Sequence, residues 1–500
     1  MNAAHHDDAH HDDAHHDDLY PSALRKNVKD GVPGCVPAYS NETIVAISTP
    51  PGRGGIGIVR LSGSQALEIA SALLRLRQPL RHTQAQLADI IDTGVGSVGA
   101  ETPRLDEAVV TYFQTPNSYT REDVVEIAAH GSPVVLEFLV RNAIGRGARL
   151  ARPGEFTERA FLSGRIDLTQ AEAVRDLIDA QTLYQAKIAS EQMEGSLSRR
   201  IRPVKQALVN LIAELEAGID FAEDDIDLLA PQEISARIRE IADPLATLAR
   251  SYSYGRVVRD GFSLSIVGRP NAGKSSLFNQ LVERERAIVT AMPGTTRDLV
   301  TERVSLGGIP LDLIDTAGLR ASTDEAESMG IQKSREALAD ADVVVLVLDA
   351  TAETLTADEV VLLEQMRSRR ALAVLNKVDL PHGSAVAEAA RLLESGAQLV
   401  ETSALTGEGI AALRMKILAL IRGEGREAET GLMTNLRQQQ AVTGTLEALA
   451  DSEAAVAADV PHEMLLLDLY AALRQLDALT GETTADDILN LIFSTFCIGK

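Results

Sequence analysis

Phe262-Ser263-Leu264-Ser265-Ile266-Val267-Gly268-Arg269-Pro270-Asn271-Ala272-Gly273-Lys274-Ser275-Ser276-Leu277 decides how the chain is read. It opens as a run of apolar and small residues of buried-strand length, passes through G-x-x-x-x-G-K-[ST] at 268–275, and continues with helical spacing through Ser276, Leu277, Phe278 and Leu281. Strand, glycine-rich turn and helix in that order make a phosphate-binding loop. The glycines let backbone N–H groups curl inward toward phosphates. Lys274 supplies a cation for the β and γ oxygens, and Ser275 offers a hydroxyl to Mg²⁺.

Further strand-like runs precede loops that carry chemistry. Leu311 to Ile314 leads to Asp315-Thr316-Ala317-Gly318, and Val343 to Leu348 is a buried strand. Ala371 to Leu375 leads to Asn376-Lys377-Val378-Asp379, and Gln398 to Glu401 leads to Thr402-Ser403-Ala404. Strands alternating with helices imply a mostly parallel sheet whose carboxyl-end loops form the site. Asp315 can hold Mg²⁺ through water, and the Gly318 N–H can touch a γ-phosphate. Asn-Lys-x-Asp selects the base. The Asp379 carboxylate can accept both N1–H and N2–H of guanine, whereas adenine would leave it unpaired. Lys377 can lie over the ring and the Ser403-Ala404 backbone can meet O6, so GTP is expected and ATP is the weaker reading.

Leu319 follows Gly318 where Ras-like enzymes place a water-orienting Gln, and leucine cannot orient water. Hydrolysis must use another group. Asn271 could ligate a monovalent cation together with backbone oxygens from 290 to 295. Glu327 and Glu325 are candidates for positioning water, against the alternative of a solvated helix face.

Composition narrows the function class. Five hundred residues suggest about three domains, and 45% apolar residues suffice for packed cores. A net charge of −24 disfavours holding nucleic acid by bulk phosphate attraction, and 3% aromatics without Trp disfavour a base-stacking platform. Two cysteines, Cys35 and Cys497, argue for a reducing compartment, and no apolar run or basic leader supports a membrane span or secretory signal, so a cytoplasmic location is expected.

The remaining chain divides by pattern. Residues 1–42 begin with AHHDD three times in succession and read as a disordered His/Asp-rich leader, with metal binding the alternative. From 43 to about 155, short β-like runs (Thr43 to Ile47, Ile56 to Leu61, Ala108 to Phe113, Val124 to Ala129) alternate with helical stretches, as in an α+β domain. Gly52-Arg53-Gly54-Gly55-Ile56-Gly57 satisfies G-x-G-x-x-G, but a strand follows where a dinucleotide fingerprint requires a helix, so no nicotinamide or flavin site is expected. A hairpin turn and a polar lip around a ligand both remain open there. After a turn at Arg152 to Phe156, helical patterns run to 258 and resume over 423–500, and they are expected to pack on each other around an inserted nucleotide domain at 259–422. Glu223 to Asp227 reads as a solvated acidic loop, or as a cation site.

The stretches TPPGRGGIGIVRLSG, ARPGEFTERAF, GRPNAGKSSL, PGTTRD, DTAGLR and the terminal FCIGK together resemble the tRNA-modification GTPase family MnmE (TrmE), over about 43–500. The resemblance implies an N-terminal domain that binds 5-formyl- or 5,10-methylene-tetrahydrofolate and forms a homodimer, with Arg60, Glu126, Arg165 and Lys500 at its folate positions; Arg165 stands where relatives have Lys. It implies a K⁺-activated GTPase: Asn271, Thr290, Met292 and Thr295 take the K⁺ positions, Ser275 and Thr296 the Mg²⁺ positions, and Glu327 the position that orients water. It also implies action with the FAD protein MnmG, as a heterotetramer, on C5 of the wobble uridine of certain tRNAs, leaving an aminomethyl or carboxymethylaminomethyl group. Cys497, fourth from the end, does not suit a prenylation box. By itself it reads as a buried thiol, and by resemblance as a catalytic or positioning one. A regulatory GTP-binding switch in ribosome assembly would share the nucleotide motifs and lack the folate site.

Overall fold

A computed structural model of the chain describes residues 42–92, 103–220, 229–282, 300–314, 341–366, 369–393, 399–422, 431–482 and 492–499. The His/Asp leader, the acidic loop 223–227 and the terminal Lys500 lie outside the described residues.

In chain order the elements are β1 (Ile44–Ile47), β2 (Gly54–Ser62), α1 (Ala66–Leu73), β3 (Leu74–Leu76), β4 (Ala85–Ile91), β5 (Arg104–Phe113), β6 (Val124–Gly131), α2 (Pro133–Ile144), β7 (Arg149–Leu150), α3 (Glu155–Leu162), α4 (Leu168–Asp179), α5 (Leu183–Met193), α6 (Ser196–Asp220) and α7 (Pro231–Asp260). There follow β8 (Phe262–Val267), α8 (Lys274–Val282), β9 (Val300–Leu306), β10 (Ile309–Ile314), β11 (Val343–Asp349), α9 (Ala357–Met366), β12 (Ala371–Asn376), α10 (Ala385–Leu392), β13 (Leu399–Thr402), α11 (Ile410–Arg422), α12 (Leu436–Ala457) and α13 (His462–Thr480). They fall into two compact units, one of residues 1–171, 201–244 and 444–500, the other of 172–200 and 245–443.

The first unit is built on a sheet of order β3-β4-β5-β6-β2-β1-β7. Its pairs are antiparallel except β1 with β7. Side chains alternate with period two along β2 and β6, so Val59, Leu61, Val125 and Ile127 enter a core with Ile69 and Leu73 of α1 and Leu136 and Leu139 of α2. Arg60 and Glu126, one residue out of phase, are cross-strand partners on the face opposite that core. Two glycines here permit close packing, Gly57 and, on the neighbouring strand, Gly131. A Cβ on Gly57 would lie 2.4 Å from Leu136 Cδ1, and one on Gly131 would lie 2.6 Å from the Gly54 carbonyl oxygen. From Gly54 the stretch is the start of β2 and not a helix-opening turn, with residues 52–56 exposed.

Helix α3 begins after Gly154, whose φ of +68° suits glycine and whose added Cβ would meet the Phe493 carbonyl at 2.6 Å. Glu155 is fully buried at its first position. Burial pushes its carboxyl up, but hydrogen bonds from Arg149 and the Arg152 N–H, with the charge of Arg159, prevail and hold it at about 2. The helical residues before and after the nucleotide motifs meet in this unit: Lys205 of α6 pairs with Asp477 of α13 at 2.6 Å, and Tyr470 donates to Glu216 at 2.5 Å.

The second unit carries a sheet of order β13-β12-β11-β8-β10-β9, parallel except for the β9–β10 hairpin. β11 is buried along its whole length, which explains its unbroken Val-Val-Val-Leu-Val-Leu pattern. Leu277 of α8 and Leu413 and Ile417 of α11 close one face, and Leu362 and Met366 of α9 and Ala389 of α10 close the other. Burial of each of the leucine, isoleucine and methionine side chains among these contributes about 1.5–3 kcal/mol. The fold is a multidomain α/β arrangement with an α+β N-terminal region, helical segments and a mostly parallel nucleotide-domain sheet.

Candidate functional site

In the second unit, β8 runs into the loop 268–273 and then into α8. Gly268 has φ +146°, and a Cβ there would sit 2.3 Å from the Val347 carbonyl oxygen. Gly273 has φ +93°, and its Cβ would sit 2.1 Å from Asn376 Nδ2. Both positions need glycine for the loop to curl against the sheet. Lys274 Nζ donates to the carbonyls of Gly268 and Arg269, each at 2.8 Å, so the cation is held at the loop; burial pulls its ammonium down from the ordinary lysine value. Ser275 and Ser276 are exposed in the first turn of α8, and Asn271 is exposed with φ +63°.

Asn376, at the end of β12, braces the loops. Its Nδ2 donates to the Ala272 carbonyl at 2.9 Å, while its Oδ1 accepts from the Ala404 N–H at 3.0 Å. It is 2% exposed, so its work is to fix the phosphate loop and the Ser403-Ala404 loop in one frame. Ser403 is buried, its N–H donating to the Glu408 carbonyl at 3.0 Å, and the Val378 N–H donates to the Thr402 carbonyl at 3.2 Å. These bonds set the turn in which Asp379 stands exposed.

Lys377 takes a left-handed φ of +70° and pairs through Nζ with Asp349 at 2.7 Å. Asp349 is a site residue that sequence reading passed over. Burial pushes its carboxyl up, but hydrogen bonds from Lys377 and from the Thr351 hydroxyl and N–H outweigh that and hold it well below the usual carboxylate range. Arg269 Nη2 lies 3.3 Å from the same carboxylate. The available signal was position: Asp349 ends a buried strand at the same sheet level as Asn376, its register partner.

Thr290, Met292, Thr295, Thr296, Asp315, Thr316, Ala317, Gly318, Leu319, Glu325 and Glu327 lie outside the described residues. Among the described residues no group of three His, Cys, Asp or Glu side chains is arranged to hold a metal ion. Ser275 and Asn271 instead offer neutral oxygen donors, which suit Mg²⁺ and a monovalent cation respectively.

In the first unit a separate cluster forms around Arg60. Its Nε donates to Glu126 Oε1 at 2.9 Å and its Nη2 lies 2.7 Å from the same oxygen. The guanidinium stands 5.6 Å from the Phe156 ring centroid and 6.0 Å from that of Tyr119. Arg165 stands 5.0 Å from the Tyr119 centroid and donates through Nη1 to the Ser118 carbonyl at 2.9 Å. The tail reaches the same place. Ser48 Oγ donates to the Gly499 carbonyl at 3.0 Å, Arg60 Nη1 approaches that oxygen at 3.5 Å, and Ile498 bridges to Pro153. Phe493 and Phe496, with ring centroids 5.6 Å apart, anchor the tail, and Cys497 is an exposed free thiol rather than a buried one. Arg60, Glu126 and Arg165 are thus brought together with the residue preceding Lys500. Tyr119, Phe156, Thr157 and Ser48 were not legible as members, because only the fold carries those loops to Arg60.

The donor set would suit a ligand that carries ring N–H groups for the Glu126 carboxylate and a carboxylate for the Arg165 guanidinium. Gly499, with φ +97° and its Cβ position 2.4 Å from the Ile47 carbonyl oxygen, lets the tail lie close against β1.

Two protein families match the chain: the MnmE helical domain over residues 168–497, and the GTP-binding protein TrmE N-terminus over residues 43–165. Among curated relatives, the tRNA modification GTPase MnmE of Koribacter versatilis is 58% identical over 463 residues, covering 92% of this chain and 99% of its own. The proteins of that description from Levilactobacillus brevis and Acetivibrio thermocellus are 40% and 38% identical, each covering 92% of this chain and 98% and 100% of their own. The G domain of the T. maritima FeoB iron transporter, a solved structure, is 28% identical over 32% of this chain and 98% of its own, with a TM-score of 0.22. With a phosphate loop braced through Asn376 to the Ser403-Ala404 loop in one unit, an Arg–Glu–Arg cluster in the other, and both family matches spanning nearly all of 43–497, the chain belongs to the MnmE (TrmE) family of tRNA modification GTPases, GTP hydrolases that act in tRNA modification.

Proposed function

We propose that this chain is a K⁺-activated GTPase that, with the FAD protein MnmG, modifies C5 of the wobble uridine of certain tRNAs with a one-carbon unit from a reduced folate. The observation that supports the folate part is the convergence of Arg60, with its partner Glu126, and Arg165 on the Tyr119 ring, with the Gly499 carbonyl approached by Arg60. In this reading residues 43–155 form the folate-binding and dimerisation domain, 259–422 the GTPase domain, and 156–258 with 423–500 the helical domain. The protein works in the cytoplasm, in keeping with two cysteines in 500 residues. No helix among the described residues is long and apolar enough to cross a membrane.

A bound folate supplies an activated one-carbon group. The chain's own residues bind and orient it: Glu126 receives N–H donors, Arg165 holds a carboxylate, and Arg60 fixes the Glu126 carboxylate in place by pairing with it. By the family resemblance, Cys497 and Lys500 would supply a thiol and an amine from the tail whose Gly499 carbonyl meets Ser48 and Arg60. In the nucleotide site, Lys274 supports the phosphates, Ser275 and Thr296 hold Mg²⁺, and Asp315 to Gly318 respond to the γ-phosphate. Asn271, Thr290, Met292 and Thr295 hold K⁺, which adds positive charge where phosphate charge develops, and Glu327 orients water. Asp379 selects guanine.

Titration of the purified full chain with 5-formyltetrahydrofolate tests the folate reading. Saturable binding that is lost in Glu126→Gln supports it. A wild-type protein that does not bind would return the chain to the reading of a regulatory switch without folate chemistry. For the cation, steady-state phosphate release should fall about 100-fold when Na⁺ replaces K⁺ at equal ionic strength, as for loss of one preorganised transition-state partner. Equal rates in the two salts would remove K⁺ from the mechanism.

A further inference from the structure

We propose that Tyr119 is a positioning residue that presets the guanidinium groups of Arg60 and Arg165 for an anionic ligand, and so sets affinity for the carboxylate tail of a reduced folate. The proposal rests on the folate reading above and deepens it. Tyr119 lies in the connection between β5 and β6. Its hydroxyl is hydrogen-bonded to Thr157 Oγ1 at 3.0 Å, and the residue packs against the buried cluster of Ile44, Ala46, Ala151 and Phe156. Ring position is thus fixed from two directions. The two guanidiniums then take their places by the ring, Arg165 at 5.0 Å and Arg60 at 6.0 Å from its centroid, both within cation–π range.

The two arginines differ in charge balance. Arg60 is neutralised by Glu126, whereas no carboxylate among the described residues lies within ion-pair distance of Arg165, whose recorded partners are the Tyr119 ring and the Ser118 carbonyl. A flexible arginine loses much rotamer freedom when it clasps a carboxylate. One already stacked on a ring and tied to a carbonyl has lost that freedom before binding, so more of the ion-pair energy is left for affinity. The planar fork matters here, because it can stack on the ring while presenting its N–H edge, as a lysine ammonium cannot. Burial pushes the Tyr119 phenol up against the pull of Thr157 and both arginines, so the ring remains neutral at physiological pH.

The test compares wild type, Tyr119→Phe and Tyr119→Leu in the full chain. Each is titrated calorimetrically with 5-formyltetrahydrofolate and with the tail-less analogue 5-formyl-6-methyltetrahydropterin, which carries no carboxylate, and each is melted thermally. Loss of two cation–π contacts should weaken binding of the intact folate about ten-fold in the Leu variant, while Phe, which keeps the π face, stays within about two-fold. The tail-less analogue should bind all three proteins alike. A Leu variant that binds intact folate as wild type does, or that loses both ligands equally, overturns the proposal, the second result marking a merely structural role. If the Leu variant melts early, Tyr119→Met refills the volume without a π face; binding of intact folate as tight as that of the Phe variant would overturn the proposal equally. A wild-type chain that binds neither ligand overturns the folate reading and this proposal with it, and is distinguished by the failure lying in wild type and not only in the variants.

Discussion

Asp379→Asn is expected to weaken GTP binding on the order of 100- to 1,000-fold, through loss of two hydrogen bonds to a charged acceptor. In the proposed assignment the carboxylate accepts from guanine N1–H and N2–H together, and an amide turned to accept one of them would set its own N–H against the other donor. Xanthine carries a carbonyl where guanine carries its 2-amino group, so the same amide suits it, and affinity for xanthosine triphosphate should rise as that for GTP falls. The change is local. The Val378 N–H to Thr402 bond, the Lys377–Asp349 pair and the Asn376 brace hold the turn independently of the Asp379 carboxyl. Parallel titrations with fluorescent GTP and xanthosine triphosphate read the outcome, and unchanged GTP affinity would contradict the assignment of Asp379 to the base.

Deleting residues 497–500 is expected to abolish uridine modification, by about 100-fold or more, while leaving phosphate release near wild type. The described nucleotide-loop residues belong to one compact unit and the tail to the other, and the described loop contacts involve no tail residue. The tail meets Ser48, Pro153 and Arg60 through Ile498 and Gly499, so its loss removes those contacts from the cluster proposed to hold folate, together with the Cys497 thiol and the Lys500 amine that the tail carries. Gly499→Ala gives a finer version. It keeps both groups but places a Cβ 2.4 Å from the Ile47 carbonyl at a φ of +97°, which moves the tail off β1. Mass spectrometry of tRNA beside a phosphate-release assay should show the split in both variants. Modification surviving the deletion would make the tail ornamental, and collapse of both activities would make it a support of the fold.

Much of the nucleotide domain was legible in the sequence because its signals are local. The strand runs at 262–267, 311–314, 343–348 and 371–375 correspond to β8, β10, β11 and β12, since strands buried on both faces have little choice but continuous apolar composition. The loop 268–275 was legible because a phosphate cradle needs glycine at fixed spacing. β4 and β9 were not read, because each pairs at or near a sheet margin and carries polar residues where it is half-covered.

The sequence by itself determined the class of fold, the phosphate loop, the Asn-Lys-x-Asp turn after β12 and the family, because each is written in residues adjacent in the chain whose backbone chemistry admits few substitutes. Tertiary structure alone decided three things. Asn376 became a brace between two loops because β12 ends level with the phosphate loop, and Asp349 became the partner of Lys377 because β11 and β12 run in register. Arg60, separated in sequence from Arg165 and the terminal tail, was gathered with them around Tyr119 because the sheet order places β2 between β6 and β1, with α3 supplying Phe156 and Thr157 beside it. Contacts across hundreds of residues leave no spacing to read. Only the pairing of strands and the burial of Glu155 and Phe493 fix where those side chains meet.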